Sequence, residues 1–239
     1  WCNQWLMELN TDKCKYMRIS RGSSLPHTYH LNSKPLASVS SYKYLGVHIT
    51  SNLSWKLHVE YVINNANRML GYLKRNFFLA PSSLKLTMYK TLIRPKLEYA
   101  AAVWDPSHSS LISLVESVQS RSARFIMSNY HRTASVSSMK TSLGLPSLTH
   151  RRKIFRLCVF HKIFHQNADL RRKLIIPPFY ISARIDHSHK VGMPNFKTSL
   201  FQYSFIPQTS LDWNHLPASI ANITDIVLFK RVLTNMCTL

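Results

Sequence analysis

Cys158, His161 and His165 fall at i, i+3 and i+7 on one helix edge, a spacing that could bring three soft ligands to a zinc ion. The segment around them is apolar nearly all round and no fourth ligand stands nearby, so core packing is the preferred reading and no metal site is expected. The cysteines, Cys2, Cys14, Cys158 and Cys237, form no C-x-x-C pair. That usage suits a reduced intracellular protein, nuclear or cytoplasmic, better than a disulfide scaffold or zinc finger.

A second kind of chemistry is phosphate binding. Asn64, Arg68, Gly71 and Arg75 fall within roughly 60° of one another at helical spacing, with Tyr61 and Tyr72 flanking them. Glycine inside a helix costs about 1 kcal/mol relative to alanine. The stripe is either a solvated face or a surface that lies along a phosphate backbone. Arg121 and Arg124 form a similar edge with Ser117, Ser120 and Ser128. In the stretch YKYLGVHIT, Leu45, Val47 and Ile49 alternate with Tyr44, Gly46 and His48. This predicts a strand over Tyr42–Thr50, in which the glycine marks either a bulge or the close approach of another backbone.

Composition favours the phosphate reading. The chain carries 31 Lys and Arg against 10 Asp and Glu, a formal charge of +21. Between Arg121 and Lys173 twelve cations face Asp169 alone. Such a surplus attracts polyanions through counterion release. No apolar run reaches the 18 or so residues of a membrane span, so no membrane partner is expected. The chain begins with Trp1 and not Met, which suggests a fragment.

The elements that must position these residues follow from periodicity. Trp1, Trp5 and Leu9 predict the end of an amphipathic helix, Lys15–Ser20 a strand closed by Gly22-Ser23-Ser24, and Asn32-Ser33 a tight turn between Tyr29–Leu31 and Lys34–Leu36. These strands should make a small antiparallel sheet. Helices are predicted from Trp55 to about Phe78, from Pro81 to about Leu92, and over Leu111–Ile126, with Pro95 restarting the chain. Pro177–Pro217 reads as ordered extended chain, and Thr224-Asp225 caps a last helix. The fold class is α+β, mostly α, in three regions: 1–54 with the strands, 55–130 a helical bundle, and 131–239 a basic helical and extended part.

With these residues set out, the chain resembles the reverse transcriptases of non-LTR retrotransposons, the LINE type and especially the jockey-like elements. LNTDKCKYM (Leu9–Met17) is similar to the segment after the family's catalytic aspartate hairpin, and YKYLGVHIT to its primer-grip strand pair. YKTLIRPKLEYAAAVWDP (Tyr89–Pro106) resembles its thumb and LDWNHLP (Leu211–Pro217) its tail. The resemblance implies that 1–54 is the edge of a palm, 55–130 a thumb, and that the fingers and most of the palm are missing partners lying before Trp1. It also implies that Lys13 lies near a phosphate, that Tyr44, Gly46 and His48 hold a primer end, and that Asn64, Arg68, Gly71 and Arg75 face an RNA–DNA or DNA duplex.

One departure is decisive. Family members hold two Mg2+ ions on aspartates, yet none of the ten acids here stands in an Asp-Asp pair. The expectation is therefore a fragment without catalytic residues or cofactor, Mg2+ belonging to the missing part. The alternatives are a stand-alone nucleic-acid-binding protein derived from such an element and a histidine-dependent metal nuclease. Dispersal of most of the twelve histidines counts against the nuclease. A chain that has lost the rest of its palm could also fail to fold alone.

Overall fold

A computed structural model describes residues 2, 4–20, 22, 27–182 and 184–236. The chain divides into two compact units, Trp1–Glu60 and Tyr61–Leu239. Six short strands and twelve α-helices are described, so the mostly helical fold with a little β-structure expected from periodicity is what forms. Among the described residues no helix is long and apolar enough to cross a membrane.

The first unit holds all the strands, and they pair two by two instead of forming one antiparallel sheet. They are β1 (Lys15–Tyr16), β2 (His30–Leu31), β3 (Lys34–Pro35), β4 (Ala37–Ser38), β5 (Ser41–Tyr44) and β6 (Val47–Thr50). β1 runs parallel to β4, while β2–β3 and β5–β6 are antiparallel hairpins. The Asn32-Ser33 turn forms as expected, with φ of +50° and +62°, the paired positive values a type I′ hairpin turn requires. The strand expected over Lys15–Ser20 keeps only its first two residues, and of the stop after it only Gly22 lies within the described residues. The helix expected before Asn10 is absent from residues 4–10, where 4–6 form a turn and 7–10 are irregular. Trp5 is 62% exposed and Leu6 94%. An amphipathic stripe that short holds a helix only when its apolar face is covered.

The strand expected over Tyr42–Thr50 is a hairpin. Leu45 and Gly46 turn the chain with φ of +45° and +85°, so Gly46 is explained by backbone conformation. The turn also resets the alternation. Tyr44 pairs with Val47 and Tyr42 with Ile49, while Lys43 pairs with His48. Tyr44 therefore shares a face with Val47 and Ile49, and His48 lies on the other. α1 (Lys56–Asn76) starts in this unit and continues into the second. At its first turn the His48 amide donates to Nδ1 of the buried His58 at 3.2 Å.

In the second unit α2 (Ser82–Met88) runs without a break through a π-turn, Tyr89–Ile93, into α3 (Arg94–Glu98). Pro95 does not restart the chain. A proline ring clashes with the carbonyl four residues back in a regular α-turn, and a wider turn just before it relieves that clash. α4 (Ala101–Trp104), α5 (Ser109–Ile126), α6 (Val136–Ser142), α7 (Leu148–Gln166) and α8 (Ala168–Leu174) follow. Part of the stretch expected to be extended is helical, as α9 (Ser199–Gln202) and α10 (Phe205–Asn214). Pro207 sits in the first turn of α10, where its missing N–H costs nothing. α11 (Ala218–Ala221) and α12 (Ile226–Asn235) complete the unit, and Asp225 Oδ1 caps α12 by accepting from the amides of Val227 and Leu228.

α7 is the centre of this unit and packs against α4, α5, α10 and α12. Its Leu157, Phe160 and Phe164 meet Trp213, Ile220, Phe229 and Leu233 in the main core, where Trp213 and Phe229 are fully buried. A second group, among them Tyr89, Ile93, Leu97, Val118 and Phe125, is buried among the helices from α1 to α5. Helices before and after residue 130 thus belong to one compact unit.

Candidate nucleic-acid interface

The acids decide which cations are left for a partner. All seven acids after residue 60 are engaged within the chain. Glu98 is chelated by the Arg151 guanidinium and Asp105 accepts from Arg152 Nε at 2.6 Å, with Arg156 Nε at 3.2 Å. Asp212 takes Lys153 at 2.8 Å and Arg156 at 2.9 Å. Glu116 accepts the Thr149 amide, Asp169 pairs with Arg172, Asp186 with Lys190, and Asp225 caps α12.

Most of these contacts lie in two of the four blocks that carried the resemblance. In Tyr89–Pro106 the buried Tyr89 hydroxyl donates to Gln119 Oε1 at 2.6 Å, and Gln119 donates onward to the Pro146 carbonyl at 2.9 Å. Desolvation raises the Tyr89 pKa above its ordinary value and keeps the hydroxyl a donor. Trp104 Nε1, on α4, donates to the carbonyl of Tyr99 at the end of α3 at 2.7 Å. In Leu211–Pro217, Trp213 Nε1 donates to the His189 carbonyl, and Asn214 exchanges two hydrogen bonds with the Val191 backbone. Trp104 is a fully buried packing residue, and Asp105 anchors two arginines of α7.

The outer face of α1 differs. Asn64, Arg68 and Arg75 are exposed and Gly71 is partly so. Among the described residues no ion pair involves Arg68, Arg75 or Arg121. A Cβ built on Gly71 would meet only Arg75 Nη1, at 3.5 Å. The missing side chain thus leaves room for that guanidinium to fold back over the helix, and no protein packs there. Arg121 is exposed, with Nε and Nη2 bound to the carbonyl and hydroxyl of Ser117 at 3.2 and 2.9 Å. Arg124 is occupied differently: Nη1 donates to the His131 carbonyl at 3.0 Å and Nη2 to that of Ala134 at 3.5 Å. It fixes the loop after α5, a structural task that spacing alone could not distinguish from phosphate binding. Lys74, which the stripe did not include, lies 5.5 Å from the Tyr130 ring centroid. Burial, and then the charge of Arg121, hold its pKa below the ordinary lysine value. Its place between Gly71 and Arg75 was the signal that could have found it.

In the first unit Lys13 is exposed, in a turn held by Asn10 Oδ1. Tyr44 is 60% exposed beside the hairpin turn, while the His48 ring lies 6.2 Å from that of His58. The hairpin thus presents Tyr44 and Gly46 outward and turns His48 toward α1, and the three do not share one face.

The residues present do not fit the Mg2+ pair of a polymerase. Each carboxylate after residue 60 is engaged by arginine, lysine or a backbone amide, and among the described residues no group of three or more His, Cys, Asp or Glu is placed to hold a metal ion. His161 is stacked on Phe229 and directs Nε2 to the Ile223 carbonyl at 2.6 Å, and the His165 ring lies 4.5 Å from its own. This is the packing role expected for that helix edge.

No family model and no solved structure matches the chain. It is 24% identical over 132 residues to the probable RNA-directed DNA polymerase from transposon X-element of Drosophila melanogaster, covering 53% of this chain and 14% of that protein. It is 20% identical over 209 residues to the RNA-directed DNA polymerase from mobile element jockey of the same fly, covering 82% of this chain and 22% of that protein. An uncharacterised Caenorhabditis elegans protein is 32% identical over 72 residues, 30% of this chain and 36% of its own length. The chain thus spans less than a quarter of the two named polymerases it matches. Motif blocks and matches agree that this chain is similar, over part of their length, to the RNA-directed DNA polymerases of LINE-type, jockey-like mobile elements.

Proposed function

We propose that the chain is the template–primer-gripping part of such a polymerase: it binds RNA–DNA or DNA duplex through Arg68, Gly71 and Arg75 on α1 with Arg121 on α5, and supplies no catalytic carboxylate. The hairpin carrying Tyr44 and Gly46 acts beside the primer end, and the fingers and remaining palm are its partners. The supporting observation is the distribution of charge. Every acid after residue 60 is engaged within the fold, and among the described residues no ion pair reaches the exposed Arg68, Arg75 or Arg121. Unneutralised cations along a helix with a glycine between them suit a close-approaching phosphate backbone.

Fluorescence anisotropy of a labelled RNA–DNA duplex, titrated over a range of salt, tests this. With about five phosphates neutralised, log K should fall against log[salt] with a slope of roughly −4 to −5. The Arg68→Ala/Arg75→Ala variant should flatten that slope by about two without changing preference among sequences. A slope near zero, or one the double variant leaves unchanged, overturns the proposal.

A further inference from the structure

Tyr130 lies in the loop between α5 and α6. The residue is 51% exposed, and the groups around it are held in place. On one side stands the Lys74 ammonium, 5.5 Å from the ring centroid. The loop that follows is tied down by Arg124, whose guanidinium holds the His131 and Ala134 carbonyls, and a hydrogen bond between His131 Nδ1 and the Thr133 hydroxyl at 2.7 Å tightens it. One turn before Arg124, Arg121 is set by Ser117 in a fixed posture. The charge of Arg121, on a different helix, adds to burial in lowering the Lys74 pKa, and among the described residues no ion pair reaches either cation. The contact with the Tyr130 ring offsets part of the cost in the free fold, but like charges repel and Lys74 also loses part of its hydration. A bound anion would relieve both.

The exposed ring narrows the anion further. Inside a duplex each base face is covered by its neighbour, so only an unpaired or terminal base can offer a π-face to a tyrosine. An aromatic platform beside cations is the arrangement by which proteins hold single strands. Lys74 lies on α1 next to Arg75, so a strand leaving a duplex laid along that helix would meet this ring.

We infer that Tyr130, Lys74 and Arg121 form a subsite for an unpaired nucleotide of a strand running beyond the end of the duplex, Tyr130 stacking the base and the two cations taking the adjoining phosphates. The inference rests on the reading of α1 as the duplex-facing helix and names the next part of the same ligand.

The test compares three labelled probes by anisotropy with the full chain: a blunt RNA–DNA duplex, the same duplex with a short unpaired RNA extension, and the single-stranded RNA alone. The extension should tighten binding about tenfold, within the range of one or two stacked bases. Tyr130→Ala should abolish that gain so that blunt and extended duplex bind alike, while Tyr130→Phe keeps it. Lys74→Gln should lower the salt slope for the extended duplex by about one. Equal affinity for blunt and extended duplex in the unsubstituted chain overturns the subsite, as does a gain that survives Tyr130→Ala. If Tyr130→Ala weakens both duplexes equally and lowers the melting temperature, the ring is a packing element and the subsite is likewise overturned. Should blunt duplex fail to bind while single-stranded RNA binds and loses affinity in Tyr130→Ala, the duplex reading falls and this subsite stands.

Discussion

Arg156 donates from Nη2 to Asp212 Oδ2 at 2.9 Å, joining α7 to α10 across 56 residues of sequence. The arginine side chain is only 4% exposed, and its Nε faces Asp105 at 3.2 Å. One buried cation thus ties together two of the four blocks of sequence that carried the family resemblance.

Asp212→Ala leaves Arg156 buried with half of its counter-charge, and removing one partner of a buried pair costs about 3–5 kcal/mol. Because Asp212 is partly exposed and Asp105 stays, the lower end is expected, about 3 kcal/mol. Urea unfolding followed by circular dichroism measures it. Adding Arg156→Met to Asp212→Ala should recover stability, since no uncompensated charge then stays buried. A double variant less stable than the single one would show that the pair is not what matters there.

Two glycines should behave oppositely. At Gly192 an added Cβ would stand 2.5 Å from the Pro177 carbonyl oxygen, and the Gly192 amide already donates to the Ile176 carbonyl at 2.7 Å. Gly192→Ala must push two backbone segments apart and should destabilise by about 1–3 kcal/mol, as overpacking does. Gly71 has room, so Gly71→Leu should keep or raise the melting temperature by helix propensity, up to about 1 kcal/mol. It should nonetheless weaken duplex binding about tenfold, or 1.4 kcal/mol. Unchanged affinity would make the α1 stripe a solvated face.

Acid should destabilise both units. Burial pushes His165 down to about 4, helped by the charges of His161, His189 and Arg171, and burial lowers His161 against the pull of the Ile223 carbonyl and Asp225. In the first unit burial, His48 and Lys43 push His58 to about 4. Each histidine is neutral in the fold and has its ordinary pKa near 6.5 when unfolded. The unfolded chain therefore takes up protons first, and stability present above pH 6.5 is lost as the pH falls toward 4. The urea midpoint should be level from pH 7 to 8 and decline below about 6.5, with a shallower decline in His165→Gln. A midpoint that rises on acidification would contradict the assignment.

The chain alone should not polymerise. Primer extension with Mg2+ or Mn2+ should give no template-dependent incorporation, because the sequence has no Asp-Asp pair and the carboxylates after residue 60 are held by arginine, lysine and amide donors. Incorporation that a chelator abolishes would refute this.

Local signals survived into the fold where the chemistry is local. The 3.6-residue period over Trp55–Phe78, the Asn32-Ser33 turn and the Asp225 cap each depend on a few adjacent residues, and each formed where it was read. The family resemblance was legible for a similar reason, because blocks of sequence keep their order whatever they touch. Gly46 was misplaced because strand alternation and a two-residue hairpin turn share the same letters, and only the pairing of Tyr44 with Val47 distinguishes them.

The sequence by itself determined the +21 charge, the lack of paired aspartates and the helical stripe of Arg68, Gly71 and Arg75. Only the tertiary structure decided which of those charges are available. Composition counts Arg124, Arg152 and Arg156 with Arg68 and Arg75, but a guanidinium that meets a carboxylate or a carbonyl from a distant segment is neutralised or immobilised there, and one on an open helix face is not. Those partners lie from 7 to 56 residues away, and no spacing rule along one chain fixes distances of that kind.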